Sequence, residues 1–144
     1  MYKHDALLHL VWAIAQADEP EENVWVGKIS DEEYDFFRKI RRDEGIEINF
    51  SDFIDKRSNL QRKYGNDSVV QEALKATNGC GRKWRVKVYG YMWRMAMNSW
   101  EGERYSDGTR DTITDAEMVI IEKARNYFKI TEEEDDECLD LSRM

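Results

Sequence analysis

Apolar residues recur along this chain every three or four positions, which is the spacing of one face of an α-helix. In the segment at about 31–44, for example, Tyr34, Phe37 and Ile40 follow one another at intervals of three. The whole pattern predicts an all-α fold, a compact bundle of about seven helices. Their expected ranges are about 4–17, 31–44, 51–64, 67–77, 82–99, 115–128 and 132–141.

Several helix starts carry the capping-box signal, a Ser or Thr followed three residues later by Glu. In this box the hydroxyl accepts a hydrogen bond from the third amide of the helix, and the Glu side chain bonds back to the cap residue. The signal occurs three times: Ser30 with Glu33, Thr114 with Glu117, and Thr131 with Glu134. At the other end of the second helix, Gly45 followed by Ile46 predicts a glycine C-cap.

Composition narrows the classes of function. The chain has 144 residues with one Pro and eight Gly, and its formal net charge is −8. This length suits a single domain over residues 1–144, and the acidic excess disfavours nucleic acid and anionic membrane surfaces as partners. The apolar run 6–15 is too short to span a bilayer. Cys80 and Cys138 lack zinc-type spacing, so we expect a cytoplasmic protein with reduced thiols.

The chain also aligns with itself. With Ile29 placed on Ile113, no gap is needed up to Ile46 on Ile130, and upstream Trp12 falls on Trp93 after a shift of three residues. Fixed offsets of this kind indicate internal duplication. The expectation is two pseudo-symmetric helix–loop–helix repeats, the first at about 6–46 and the second at about 88–130, with both tryptophans in the core.

These motifs resemble the tellurite-resistance TerB-like family. The first copy reads Leu-Val-Trp-Ala-Ile-Ala-Gln-Ala-Asp over 10–18 and Lys-Ile-Ser-Asp-Glu-Glu over 28–33, and the second copy reads Thr-Ile-Thr-Asp-Ala-Glu over 112–117. The resemblance implies a compact all-helical bundle with pseudo-twofold symmetry. It also implies a role in tellurite or other chemical stress or in phage defence, with acidic metal-binding loops. The chain departs from the family at Glu19, where the family has glycine, and at Ser99, which aligns with Asp18.

Two acidic loops are the candidate metal sites, because Ca²⁺ prefers several carboxylate and carbonyl oxygens supplied by a flexible loop. Glu33 and Glu117 stand at the helix starts that follow these loops, so they are the expected anchors. The candidate ligands are Asp18, Glu22, Glu33, Asp107, Asp111 and Glu117. The spacing excludes a true EF-hand, since Val24 and Val26 occupy two of its ligand positions. The competing interpretation is that these acids are solvated groups at helix N-termini, where the helix dipole favours negative charge.

Trp25 and Trp100 lie in or beside the acidic loops. Aromatic side chains flanked by charge are typical of a surface that binds a protein partner. The alternative is that both rings fold back over the bundle as lids.

Little in the sequence favours catalysis. His4 and His9 are the two histidines and do not share a helix face well, and no phosphate-binding glycine loop is present. The basic residues at 82–87 are expected to pair with acids at 132–137, and other basic residues such as Arg57 to lie on solvated faces.

Taken with the family resemblance and the acidic loops, the sequence leads us to expect a non-enzymatic TerB-like stress-response protein that binds a divalent cation. The alternative is a protein–protein interaction module that uses the acidic surface and the loop tryptophans without metal.

Overall fold

The structure is a computed structural model that describes residues 1–17, 31–98 and 113–142. Within these ranges the chain forms helices and no strands, as the periodicity predicted. The helices are α1 (Lys3–Ala15), α2 (Asp31–Asp43), α3 (Phe50–Tyr64), α4 (Asn66–Asn78), α5 (Arg82–Asn98), α6 (Asp115–Phe128) and α7 (Glu132–Ser142). The predicted all-α bundle is thus confirmed, and each predicted helix boundary lies within about two residues of the observed one.

Helix α1 is the centre of the bundle. Every residue from Ala6 to Ile14 is buried, because a helix that is apolar on all sides is stable only when neighbours surround it. Helices α2, α4, α5 and α6 all pack against it. The one strongly polar side chain in this buried stretch is His9, with no exposed surface.

Helix α5 is the second buried element. Its core residues run from Val88 to Ala96, and α7 packs chiefly against it. Trp12 on α1 and Trp93 on α5 are each only 1% exposed, which confirms that both tryptophans lie in the core. The rings of Phe37, Phe50 and Phe53 surround Trp12.

The helix ends follow the sequence signals. Thr114 and Glu117 form the complete capping box, and Thr131 and Glu134 make the same reciprocal pair of hydrogen bonds at α7. Ser30 lies outside the described residues. The predicted pairing of the basic stretch with α7 is also present, as an ion pair between Arg82 and Glu134.

Helices α2 and α6 end in the same way at aligned positions. The amide of Ile46 donates to Arg41 O at 2.8 Å, and the amide of Ile130 donates to Arg125 O at 3.0 Å. This is the Schellman motif. Its left-handed position is filled by Gly45 with φ 65° and, 84 residues on, by Lys129 with φ 54°. The match agrees with the ungapped alignment, while superposition of the two whole repeats stays a prediction.

None of the described helices combines the length and the apolar character that crossing a lipid bilayer requires.

Candidate functional site

Most of the residues predicted to bind metal or a partner lie outside the part of the chain that the structure describes. Those residues are Asp18, Glu22, Trp25, Trp100, Asp107 and Asp111. The two predicted anchors, Glu33 and Glu117, are described. Each occupies the third residue of its helix, so the aligned positions are also structurally alike.

Both anchor glutamates are buried, at 1% exposure for Glu33 and 2% for Glu117. The Glu117 carboxylate accepts hydrogen bonds at Oε1 from the Thr114 amide at 2.9 Å and from the Thr114 hydroxyl at 3.1 Å. The capping role of Glu117 is therefore present. Within the described ranges, no three His, Cys, Asp or Glu side chains come together as a group that could hold a metal ion.

A second polar site lies between α1, α3 and α4, and we call it the His9–Arg57 cluster, made of His9, Arg57, Gln61 and Asn66. Arg57 is fully buried, which corrects the expectation that it lies on a solvated face. Its guanidinium donates to His9 O at 2.9 Å, to Asn66 Oδ1, and to Gln61 Oε1 at 3.4 Å. In the described ranges Arg57 makes no ion pair with a carboxylate, and burial lowers its pKa to about 10.

The protonation of His9 follows from its neighbour. Arg57 Nη1 lies 3.2 Å from His9 Nδ1, and a guanidinium has no acceptor, so Nδ1 must accept that hydrogen bond. Burial, together with the positive charges of Arg57 and Lys56, lowers the pKa of His9 to about 3. The ring is therefore neutral at physiological pH and carries its proton on Nε2. His9 Nε2 is buried and has no hydrogen-bond partner among the described residues.

His9 lines a groove of about 590 Å³ between α1, α3 and α4, which we call the α1–α3–α4 groove. Leu60, Tyr64 and Val69 give it apolar walls. Tyr64, the large aromatic residue of this lining, is 56% exposed. The His9 ring itself is fully buried and packs on Phe53 of α3, with the ring centroids 5.0 Å apart.

Charged side chains stand at the edge of the groove. Asp5 and Lys56 form an ion pair of 3.2 Å, and Glu72 lines the groove from α4. Side chains of both signs therefore stand at this edge, and the buried Arg57 guanidinium lies behind His9.

Sequence reasoning missed this site although a signal was present. Arg57 stands four residues after Phe53 and three after Ile54, so it shares their buried face at helical spacing. A basic residue at a core position predicts either a buried partner or a ligand. His9 has apolar neighbours on both sides in α1, and this position within an apolar stretch also predicts that it is buried.

A third polar group, which we call the Asp135 cluster, joins α5, α6 and α7 and consists of Asp135, Tyr89, Trp93 and Arg125. Asp135 is 3% exposed. Its Oδ1 accepts hydrogen bonds from the Tyr89 hydroxyl and, at 3.2 Å, from Trp93 Nε1, while Arg125 lies 3.8 Å from Oδ2. Burial and the Asp135 carboxylate raise the pKa of Tyr89. The buried polar atoms of this cluster have partners within it, and none of its four residues lines the α1–α3–α4 groove.

Comparison with protein-family models, with curated proteins and with solved structures finds no match for this chain. The TerB-like resemblance therefore stays a prediction from its motifs, and the functional argument depends on the geometry of the chain itself.

Proposed function

We propose that this chain is a non-enzymatic stress-response protein of TerB-like type that binds a divalent cation, Ca²⁺ being the expected ion, through the acidic segments before α2 and α6. The observation that supports it is the burial of Glu33 and Glu117. Both carboxylates occupy the third position of their helices and are almost fully removed from solvent. The two glutamates therefore share their helix position and their burial at two aligned places.

Burial of a charged carboxylate is unfavourable unless hydrogen bonds or a cation compensate. The capping bonds of Glu117 use Oε1, but an ionised carboxylate has two oxygens and about four lone-pair sites. Capping and coordination are therefore compatible in one side chain. In this arrangement the helix fixes one carboxylate while oxygens of the preceding segment complete the six to eight ligands that Ca²⁺ takes.

The protonation states of buried groups support a non-enzymatic role. General acids and bases work best when their pKa lies near the working pH. Burial lowers the pKa of His9 to about 3, and burial with nearby carboxylates raises the pKa of Cys138 to about 11. In the described ranges, His9 is thus a weak base and Cys138 an un-ionised thiol.

The test is a thermal melt of chelator-treated protein with and without millimolar Ca²⁺ or Mg²⁺. A ligand that binds only the native state raises the melting temperature, so we expect a rise with Ca²⁺ that the double variant Glu33→Gln, Glu117→Gln abolishes. The matched control is Glu122→Gln, which removes one charge from an exposed position of α6 and should keep the rise.

A wild-type melt indifferent to both cations would contradict cation binding. The protein–protein interaction module would then be the better interpretation. Glutamine also suits the capping box, so under that outcome the double variant should melt close to the wild type.

A further inference from the structure

The end of the bundle where α1 and α5 begin carries a surface of aromatic rings and lysines, which we call the Trp84 patch. It consists of Tyr2, Lys3, His4, Trp84 and Lys87. The three rings follow one another, with centroids 5.1 Å apart for Tyr2 and His4 and 5.7 Å apart for His4 and Trp84. Lys3 Nζ lies 4.9 Å and Lys87 Nζ 5.8 Å from the centroid of the Trp84 ring. The patch thus combines apolar rings with positive charge.

Part of this surface is open to solvent. Tyr2 is 62% exposed, the highest value among the large apolar side chains of the described ranges. Lys83 and Lys87 are exposed as well, and they stand one turn apart on α5, so they lie on the same face of that helix. Aromatic side chains are enriched where proteins bind one another, with polar side chains around them at the rim. The patch has this composition.

The charge of the patch contrasts with that of the whole chain, whose formal net charge is −8. Glu44 is the described carboxylate that pairs with the patch, through Lys87 Nζ at 2.8 Å, and its side chain is only 8% exposed. In the described ranges Lys3 and Lys83 form no ion pair. The patch is therefore a local positive surface on an acidic protein.

Two further carboxylates stand near the starts of α1 and α5, and each has a cation of its own. Asp5 in the first turn of α1 pairs with Lys56 of α3. Glu134 of α7 pairs with Arg82, the first residue of α5. Neither carboxylate therefore supplies the partner that the two unpaired lysines lack.

We propose that the Trp84 patch binds a short acidic segment of a partner protein. Carboxylates of that segment pair with Lys3, Lys83 and Lys87, and its apolar side chains pack on the exposed ring of Tyr2. Complementary charge of this kind steers the encounter and fixes the orientation of the partner. A short segment is favoured over nucleic acid or an anionic membrane, because an extended polyanion would also meet the negative charge of the rest of the chain.

The probe is a short fluorescein-labelled peptide, rich in glutamate, that carries one phenylalanine. Fluorescence anisotropy in a chelating buffer should show that it binds at least about tenfold more tightly than the same peptide with glutamine in place of glutamate. Alanine in place of the phenylalanine should weaken binding by about threefold or more, because less apolar surface is buried. Added salt should weaken binding too, since it screens exposed charges.

A charge reversal tests the role of the lysines. Lys83→Glu should weaken binding of the acidic peptide by about threefold or more. The substitution should not unfold the protein, because it places a negative charge in the first turn of α5, where the helix dipole favours one. The matched control is Lys123→Glu, which makes the same change of net charge at an exposed position of α6 and should bind like the wild type.

A pair of tyrosine variants tests the apolar part of the patch. Tyr2→Ala should weaken peptide binding by about threefold or more. The side chain of Tyr2 makes no capping hydrogen bond to α1, so its loss should leave the helix intact. Tyr64→Ala removes a ring of similar exposure, 56%, from the end of α3 and should bind like the wild type. Circular dichroism melts check that every variant is folded.

The proposal is overturned by the absence of peptide binding, by equal binding of the glutamine peptide, or by equal binding of either variant and its control. Tighter binding of an oligouridylate RNA or of phosphatidylserine vesicles would also overturn it and would identify a surface for polyanions or membranes. Since a chelator is present throughout, none of these results bears on the Ca²⁺ melts. This proposal and the proposed function therefore fail separately.

Discussion

The Asp135 cluster and the His9–Arg57 cluster are both buried, but they differ in how completely the protein pairs their polar atoms. Asp135 is a buried anion that receives hydrogen bonds from Tyr89 and Trp93 and has Arg125 nearby. Arg57 is a buried cation whose partners in the described ranges are neutral oxygens and an imidazole nitrogen. In the first cluster a buried charge meets charged and strong hydrogen-bonding partners, whereas in the second the buried charge meets neutral ones.

The difference separates a polar group whose hydrogen bonds are satisfied within the fold from one that keeps a buried donor, His9 Nε2, without an acceptor among the described residues. A fully satisfied network rigidifies the core and fixes one arrangement of its helices. A network that leaves a buried donor unpaired contributes less to stability. The two clusters should therefore respond differently to mutation and to pH.

The largest effect is expected at Asp135. Asp135→Ala leaves the Tyr89 hydroxyl and the Trp93 indole N–H without their acceptor and should lower the free energy of unfolding by about 3–5 kcal/mol. Urea denaturation measures the loss. The matched control is Asp136→Ala at the exposed neighbouring position, which should stay within about 0.5 kcal/mol of the wild type. Equal losses in both variants would show that Asp135 does not have the structural role assigned to it.

The next effect is acid destabilisation through His9. In the unfolded chain His9 binds a proton below about pH 6.5, but in the folded protein its pKa is lowered to about 3. The stability present above pH 6.5 is therefore lost as the pH falls towards 3, by about 3 kcal/mol at pH 4. Urea denaturation at pH 7 and pH 4 measures this loss.

His9→Gln should remove that share of the pH dependence, because glutamine does not titrate. His4→Gln, on the same helix, should retain it. If the wild type and His9→Gln lose the same free energy between pH 7 and pH 4, then His9 is not buried as a neutral ring.

Arg57→Met should be milder than Asp135→Ala, with a loss of about 1–2 kcal/mol in urea denaturation. The substitution removes hydrogen bonds to His9 O and Asn66, but it also removes a buried charge whose desolvation is unfavourable. Arg62→Met, at an exposed position of α3, is the control and should be nearly neutral. A loss as large as that of Asp135→Ala would remove the distinction between the two clusters.

The smallest effect concerns the start of α7. Thr131 caps this helix through its bonds with Glu134, one residue before Asp135, so the cap also helps to position the Asp135 cluster. Thr131→Ala should lower stability by about 0.5–2 kcal/mol, and Thr131→Ser, which keeps the hydroxyl, should restore most of it. Thermal melts in which alanine and serine match the wild type would mean that the cap contributes nothing.

The helices were predictable because local signals determine them. The spacing of Tyr34, Phe37 and Ile40 marks a helix whatever its neighbours are, and the boxes at Thr114 and Thr131 mark its start. The burial of Trp12 and Trp93 also followed from their apolar surroundings in the sequence.

The His9–Arg57 cluster was not predicted because its partners are far apart in the chain. His9 and Arg57 are separated by 48 residues, and only the packing of α3 and α4 beside α1 brings them together. The residue type also predicted an exposed position for Arg57, since arginine is usually found on the protein surface. The groove beside them arises from the angles between three helices, which periodicity alone does not determine.

Helix α7 packs chiefly against α5, and this arrangement also has a kinetic consequence. Cys138 on α7 is 5% exposed, and its sulfur packs beside Gly90 on α5, at an ordinary contact distance of 3.5 Å from the place where a Cβ on Gly90 would stand. Cys80, in contrast, is exposed. Since α7 packs chiefly on one helix, it can detach as a local unit before the rest of the bundle unfolds. The rate at which an alkylating reagent reaches Cys138, after Cys80 has reacted, would then measure how often that one helix opens.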